Sequence, residues 1–395
     1  MTTIRKLNQV DFQEIYDLNV YAFRLEDKEE TKKWVKDCIE NGRVYGAFSR
    51  GKLTSSVIVF PFEVYYNGAV LKMGGIGNVS SYPEARGQGA VRLLMEKALE
   101  EMKNKGQVLS YLAPFSYHFY RKFGYEVAFE QRRYTIMPEN FGPFEAPENR
   151  VDRVSYEEEK EAIQSVYRQK MTKAIGPLKR TNWLWETKFL PSDKKKVALY
   201  RNSGGVPQGY LVYEFTGDGQ NTFHINELMA LTGIAERALW DYIGTHSSSF
   251  ERFTYTGRSD QRLSHLFHEA NVKQQMNAHM MARIVDMENF LKQFPFKSTE
   301  KQDFWLEVSD ASAEWNNKVF RLSINGDDIT VATEEKPVET SSYLKADIQI
   351  WTQLFMQYKT VDELRFEGLL SGSEETAQAF KALLPQGTPE LYDYF

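Results

Sequence analysis

"YPEARGQGAVRLLMEKAL", residues 82–99, decides how this chain is read. It reads as the end of a strand, a glycine-bearing turn marked by Pro83, and the first turns of a helix. Apolar residues at 91, 94, 95, 98, 99 and 102 give that helix one face to lay on a sheet. Arg86, Gly87, Gln88, Gly89 and Ala90 sit where turn meets helix. Free N–H groups and the helix dipole favour negative charge at such a terminus, and glycine lets the backbone approach it. The stretch therefore predicts an anion site.

Working outward, residues before the turn read as one α/β unit. "TIRKLNQVD" starts as a short strand. Asp11 stands three residues before Glu14, a capping-box spacing, ahead of a helix carrying Phe12, Ile15, Tyr16 and Phe23. A second helix is expected over 29–40 with Trp34. Successive strands follow, with turns at Arg50-Gly51 and Asn67-Gly68. Beyond the turn's helix come a strand at "VLSYLAP", a short helix at "SYHFYRKFG" and a strand at "YEVAFEQRRYTI". Residues 138–150 hold three prolines and a glycine, which predicts a domain boundary.

The second unit opens with a helix, "YEEEKEAIQSVYRQKM", followed by "TNWLWETKFL". The strands "KKVALYRNSG", "QGYLVYEFTG" and "TFHINELMAL" come next, and then the helix "TGIAERALWDYIGTH". This order echoes the first unit. Its turn, "LTGIAER", carries Glu236 near the place of Gly89, where a carboxylate repels an anion. It reads as a degenerate repeat that keeps the fold without the site. A third unit follows "MMARIVDMENFLKQFPF". It has antiparallel strands around an Asn325-Gly326 turn, an amphipathic helix in "KADIQIWTQLFMQY" and a helix in "ETAQAFKALLP". The expected division of this α+β chain is 1–142, 143–288 and 289–395.

A chain of 395 residues suits two to three domains of roughly 100–200 residues each. The net charge of −5 points away from nucleic acid. One cysteine, Cys38, excludes an intrachain disulfide. The N-terminus lacks an apolar core of signal-peptide length, and no run of ~18 apolar residues occurs. The expectation is a cytoplasmic protein with no membrane partner. His265 and His268 are spaced i, i+3 without a third ligand, so no metal is expected.

The glycine turn, its strand and helix, and "FYRKFGYEVA" together resemble the GNAT superfamily of acetyl-CoA-dependent N-acetyltransferases. The family pattern Gln/Arg-x-x-Gly-x-Gly/Ala is matched through Arg86, Gly87, Gln88, Gly89 and Ala90. Val91 departs at the sixth place. "GAVR", 89–92, resembles the Eis (enhanced intracellular survival) branch, which has a bulky residue there followed by arginine. "NWLWETKFLP", "GYLVYEF", "ALWDYIGTH" and "MMARIVDMENFL" resemble that branch's second, cofactor-free GNAT domain. "LKADIQIWTQLFMQYKTVDELRFEGLLSG" resembles its sterol-carrier-protein-like C-terminal domain.

The resemblance implies that the anion is the pyrophosphate of coenzyme A. It would be held by backbone amides of 87–92 with Arg86 and Arg92 adding charge. Val79, Ser80 and Ser81 would pair their strand edge with the pantetheine. Tyr120, the first tyrosine of "FYRKFGY", would protonate the leaving thiolate, and Tyr125 would pack. His118 is a base candidate on generic grounds, though a surface or pocket-lining role is favoured. Glu26, Asp27 and Trp34, with His118, are the candidates for the acceptor side, as carboxylates and an aromatic wall for a cationic amine. The tail "TPELYDYF" is apolar enough to dock, and the resemblance implies that the carboxylate of Phe395 enters the active site as base. The implied acceptors are aminoglycoside-like amines, polyamines or protein lysines, and the implied assembly is a hexamer. The competing readings are a lipid carrier, which has no need of "RGQGA" together with Tyr120, and an acyl-CoA sensor, which would bind without acceptor-dependent turnover.

Overall fold

The computed structural model describes residues 2–142, 151–186, 194–297, 300–334 and 342–395. The end of the proline-rich boundary segment and the end of "TNWLWETKFL" lie outside them. The first unit contains β1 (Thr3–Leu7), α1 (Phe12–Phe23), α2 (Glu29–Asn41), β2 (Arg43–Ser49), β3 (Lys52–Tyr66) and β4 (Ala69–Ser81). It continues through α3 (Ala90–Asn104), β5 (Leu109–Leu112), α4 (Tyr117–Arg121) and β6 (Glu126–Ile136). The expected turns form, with Arg50, Gly51, Asn67 and Gly68 all at positive φ. The capping box forms one turn earlier than expected. Asp11 makes no side-chain cap for α1. Its carboxylate accepts instead from the Asn8 amide (3.0 Å) and Arg5 (2.8 Å), while the Asn8 side chain accepts from Val10. Arg5 lies within reach, and a guanidinium outcompetes a helix amide for a carboxylate.

The second unit runs β7 (Val151–Val154), α5 (Tyr156–Met171), β8 (Ile175–Leu178), α6 (Asn182–Leu184), β9 (Lys195–Arg201) and β10 (Pro207–Thr216). Then come β11 (Thr222–Ala230), α7 (Gly233–Gly244), β12 (Arg252–Arg258) and β13 (Lys273–Ile284). Both units share one sheet, ordered β1-β2-β3-β4-β5-β13-β6-β12-β11-β10-β9-β7, with β8 beside β3. β13 enters between β5 and β6, antiparallel to both. β6 in turn pairs with β12. Each unit's sheet is completed by a strand of the other, so strand pairing crosses the division expected at 142.

The third unit comprises α8 (Met287–Gln293), β14 (Gln302–Ser309), β15 (Lys318–Asn325), β16 (Asp328–Glu334), β17 (Tyr343–Asp347), α9 (Ile348–Phe355), α10 (Val361–Phe366), β18 (Ser371–Gly372) and α11 (Glu374–Leu383). Its sheet is ordered β16-β15-β14-β17-β18. Helix α9 lies on β6 and β13, where Thr352 accepts from Ile284 N (3.0 Å) and Gln353 donates to Val127 O (2.9 Å). The fully buried Arg283 of β13 donates to Phe123 O (2.5 Å) and to Asp310 (2.5 Å). That bridge fixes the turn after α4 against the third unit.

Alternation along β3 sets the layers of the first unit. Val57 and Val59 face α3, while Ile58 and Phe60 face the other core. Burial on both faces explains why β3 reads as a continuous apolar run.

Candidate active site

Strand β4 pairs with β5 in parallel only from Met73 to Ile76, against Leu109 to Leu112. It then runs on to Ser81, paired on its other edge with β3. Past Ile76 the two strands form a fork, and the β5-side edge of β4 has no strand partner among the described residues. A bulge falls in the fork, because Asn78 and Val79 together oppose the single residue Val57. Asn78 is left-handed (φ 48°), and its Nδ2 is buried without a partner. A bulge of this kind re-aims backbone groups. The hydroxyls of Ser80 and Ser81 bond to Ser56 and Ser55 (2.9 and 2.8 Å). Their backbone edge, not their side chains, is therefore what the fork presents.

The glycine turn sits at the end of β4. Gly87 and Gly89 have φ of 76° and 81°. A side chain at either would meet nothing within 4 Å. The left-handed backbone, not crowding, requires glycine there. Gly89 is the N-cap of α3 and provides no side-chain cap. The first amide of the helix to find a backbone carbonyl is Leu93, which bonds to Gly89 O (3.1 Å). The amides of Ala90, Val91 and Arg92 before it have no carbonyl partner among the described residues, an arrangement that fits a pyrophosphate. Arg86 is exposed beside them, and Arg92 is also exposed, 3.6 Å from Glu96. Gln88 is turned back onto Glu84 O (2.7 Å).

A cavity of about 500 Å³ opens from the fork. Val79 and Ile76 line it from β4, Tyr120 from α4, Trp34 from α2, and Tyr394 and Phe395 from the C-terminal tail. The Tyr120 side chain is 2% exposed and its ring packs against Phe115 and Phe119 (5.3 and 5.1 Å). Burial first, then Tyr125 and Tyr394, push its phenol well above the usual tyrosine range. The phenol thus keeps its proton through neutral and alkaline pH. Tyr125 is fully buried, with its hydroxyl on Ser110 (2.7 Å), consistent with packing.

Phe395 lies across β4. Its ring meets Phe62 edge-on (5.0 Å) and Phe60 (6.4 Å). Its carboxyl carbon lies 3.6 Å from where a side chain on Gly77 would begin, and a side chain on Gly75 would meet the Phe395 ring at 2.6 Å. Gly75 and Gly77 of "GGIG", 74–77, thus make room for the tail. Glycine inside a strand is a signal of close approach, and this one was available in the sequence but unused.

The remaining candidates lie elsewhere. Glu26 is exposed and paired with Lys28 (3.0 Å). Asp27 is exposed and accepts from Tyr16 (2.6 Å). His118 is exposed on α4, two residues from Tyr120, which turns it away from that side chain. None of these three lines the cavity, and no residue that does carries a charged side chain. The walls the sequence did not single out include Phe115 and Trp183. The latter stacks on Phe60 (5.4 Å). Among the described residues, no three His, Cys, Asp or Glu side chains group to hold a metal ion, and no helix is long and apolar enough to cross a membrane.

Comparison with known proteins places the three units of the chain. Acetyltransferase (GNAT) domain families match residues 3–128 and 176–284, and the sterol carrier protein domain family matches 287–392. The chain carries two GNAT domains followed by a sterol-carrier-like domain, as the sequence led one to expect. A solved structure from Enterococcus faecalis, described as a conserved protein of unknown function and probable N-acyltransferase, is 35% identical over 100% of both chains, with a TM-score of 0.94. The structure of Eis1 from Mycobacterium abscessus shares the fold over 100% of both chains (19% identity, TM-score 0.81). An uncharacterized N-acetyltransferase of Streptomyces avermitilis is 28% identical over 51% of this chain, and the match spans 53% of that relative's length.

Proposed function

The chain belongs to the GNAT-domain N-acetyltransferase family, and from that premise we propose that it transfers acetyl from acetyl-CoA to a primary amine held in the first domain's cavity. The observation that carries this reading is one of convergence. The unpaired edge at Val79, the buried phenol of Tyr120 and the tail residue Phe395 line one cavity, which opens from a fork beside an uncapped glycine turn.

In this reading the amides from Gly87 to Arg92 hold the coenzyme A pyrophosphate, with Arg86 and Arg92 adding charge. The edge of Val79, Ser80 and Ser81 aligns the pantetheine. The incoming ammonium, with an ordinary pKa of about 10.4, must lose a proton before it can attack. The base is the α-carboxylate of Phe395, beside Gly77. The amine nitrogen bonds to the thioester carbonyl carbon, the C–S bond breaks, and the sulfur takes up a proton with Tyr120 as donor. The phenol hydrogen-bonds the sulfur as charge develops and gives up its proton as the thiolate departs, and the phenolate regains a proton from solvent.

The cavity walls support one class of acceptor. Aromatic faces suit a single ammonium on an apolar stem. An aminoglycoside or polyamine would bring several charges to walls whose side chains carry none and whose one charge is the Phe395 carboxylate. A lysine side chain or another mono-amine fits better, and Trp34 is the wall nearest the role expected for it. The assembly expected by resemblance is a hexamer, and the reading of the chemistry does not depend on it. The carrier alternative is disfavoured by the third domain. Its interior is filled by Phe290, Phe294, Phe304, Trp351, Phe355 and Phe380, with ring centroids 4.9–6.1 Å apart for the central pairs.

Two experiments test the proposal. Acetyl-CoA is incubated with a panel of mono-amines, lysine peptides, polyamines and aminoglycosides, following free thiol and product mass. Lysine peptides or mono-amines should lead the panel, and no thiol release with any amine would end the enzyme reading. Adding a few residues after Phe395 moves the carboxylate while keeping every side chain. Turnover should fall about 10²-fold or more on general-base magnitudes, with acetyl-CoA binding intact. Full activity in the extended chain would rule out that carboxylate as base.

A further inference from the structure

We propose that the second GNAT domain is a clamp for the C-terminal tail: its own strand fork, β11 against β12, holds residues 390–393 through a buried Glu227–Arg180–Asp393 bridge and so positions Tyr394 and Phe395 in the first domain's cavity. The proposal rests on reading that cavity as the site of acetyl transfer.

The second domain repeats the fork of the first. β11 pairs with β12 in parallel only from Thr222 to Ile225, against Arg252 to Tyr255. β11 then runs on to Ala230, while β12 continues along β6. In the first domain this opening leads to the cavity. In the second, the tail lines it. Tyr392 and the β11 residues Leu228, Met229 and Ala230 line one small cavity, with Tyr255 and Arg258 of β12 opposite. Glu390 lies 3.6 Å from Arg258, and its carboxylate accepts from the Tyr392 hydroxyl (2.8 Å). The tail thus touches both arms of the fork.

The bridge is the strongest hold. The Arg180 side chain is fully buried and faces two carboxylates. It donates through Nε to both oxygens of Asp393 (2.9 and 3.2 Å) and through its two terminal nitrogens to Glu227 (2.9 and 2.5 Å). Its guanidinium lies 3.8 Å from the Tyr167 ring centroid and 4.7 Å from that of Trp185. Glu227 also accepts from Tyr210. Three charges removed from water are tolerable only when each is paired and hydrogen-bonded, as these are. Two further contacts continue the grip. Gln131 of β6 donates to Leu391 O (3.1 Å), and the His279 ring of β13 lies against the Tyr394 ring, centroids 6.4 Å apart. Two residues after Asp393 the chain reaches Gly77.

The fork is also unsuited to the ligand its counterpart fits. The N-cap of α7 is Thr232, whose hydroxyl already accepts from the Ala235 amide (3.1 Å). Glu236 stands in the first turn. What the first domain leaves open to an anion, the second closes with its own side chains. Arg180 and Asp393 are therefore positioning residues. Neither lines the cavity, and both act through the two residues that do.

The test uses the full 395-residue chain. Asp393→Ala removes the tail's half of the bridge yet leaves Arg180 paired with Glu227, so the core keeps a balanced pair. Hydrogen exchange of the 390–395 amides should quicken at least about 10²-fold. kcat should fall about 10²-fold, since misplacing a reacting group by an ångström costs that much. KM for acetyl-CoA should stay unchanged, and Asp393→Glu should recover part of kcat. If Asp393→Ala does not fold, the isosteric Asp393→Asn carries the same readings. Unchanged tail exchange in a folded variant overturns the clamp. A freed tail with parental kcat overturns its positioning role. A parent protein that transfers no acetyl group would instead defeat the reading of the cavity, and the exchange measurement would still decide whether the fork holds the tail.

Discussion

Two forks in one continuous sheet make the instructive comparison. Both form where parallel pairing stops, after Ile76 in the first domain and after Ile225 in the second. Both feed a turn into a helix. The difference lies in what satisfies the helix N-terminus. Gly89 provides no side chain and leaves amides open, whereas Thr232 caps α7 with its own hydroxyl. A helix end needs acceptors. In the proposed reading one domain takes them from outside, whereas the other carries one in its sequence, the Thr232 hydroxyl. The fold is shared, but the chemistry is decided by one or two residues at the turn, which is the general sense in which sites and not folds carry function.

The largest expected effect tests that contrast directly. Gly89→Glu places bulk and negative charge among the open amides and forces a left-handed position on a non-glycine residue. Acetyl-CoA affinity measured by calorimetry should fall by roughly 10³-fold or more, on the scale of several lost charge-assisted contacts. Gly233→Glu, at the matching helix start of the second domain, should leave it unchanged, with a stoichiometry of one per chain. Equal losses in both variants, or a stoichiometry near two, would erase the distinction between the forks.

A smaller effect is expected for Tyr120→Phe, which keeps the ring packed against Phe115 and Phe119 and removes the hydroxyl. Tyr120 lines the first fork's cavity and not the second's, so the change touches one fork only. Turnover should fall about 10²-fold on general-acid magnitudes, with acetyl-CoA binding nearly intact. Parental turnover would assign Tyr120 to packing. Burial raises the phenol's pKa, so the wild-type rate should show no loss from its ionisation up to about pH 10, its unperturbed value.

What the sequence disclosed follows the range of the interactions involved. The turns at Arg50-Gly51, Asn67-Gly68 and Asn325-Gly326 and the glycines at 87 and 89 are local chemistry, and they form where expected. The insertion of β13 between β5 and β6 was not legible, because its partners lie some 150 residues away in sequence and nothing local specifies the pairing. The strand at 252–258 was missed although Phe253 and Tyr255 alternate with polar neighbours. Lys179 and Arg180 show the limit most clearly. They are adjacent cations, yet Lys179 pairs with the half-exposed Glu63 while Arg180 is fully buried between Glu227 and Asp393. Only the tertiary fold separates them. Glu26 and Asp27 show the converse. A carboxylate cluster near an acceptor segment is legible, but the direction of its side chains is not.

The smallest expected effect returns to the two helices. The buried face of α3 is wholly apolar, through Leu94, Met95, Ala98, Leu99 and Met102. That of α7 includes Asp241, whose Oδ1 is buried without a partner. Burial, opposed by Arg237, pushes its carboxyl up to about 6. The folded state therefore binds its proton more tightly than the unfolded chain does. Below about pH 4 both states are protonated and the group costs nothing, using an unperturbed value of about 3.9. As pH rises from 4 to 6 the unfolded chain ionises first, and stability is lost. Above 6 the whole cost is present, about 1 kcal/mol after allowing for partial solvent contact. Asp241→Asn removes the charge and keeps the shape. Denaturation curves should show the variant more stable than the parent by about that amount at pH 7, with the advantage gone near pH 4. An advantage that is independent of pH would mean that packing, not ionisation, sets the difference between the helices.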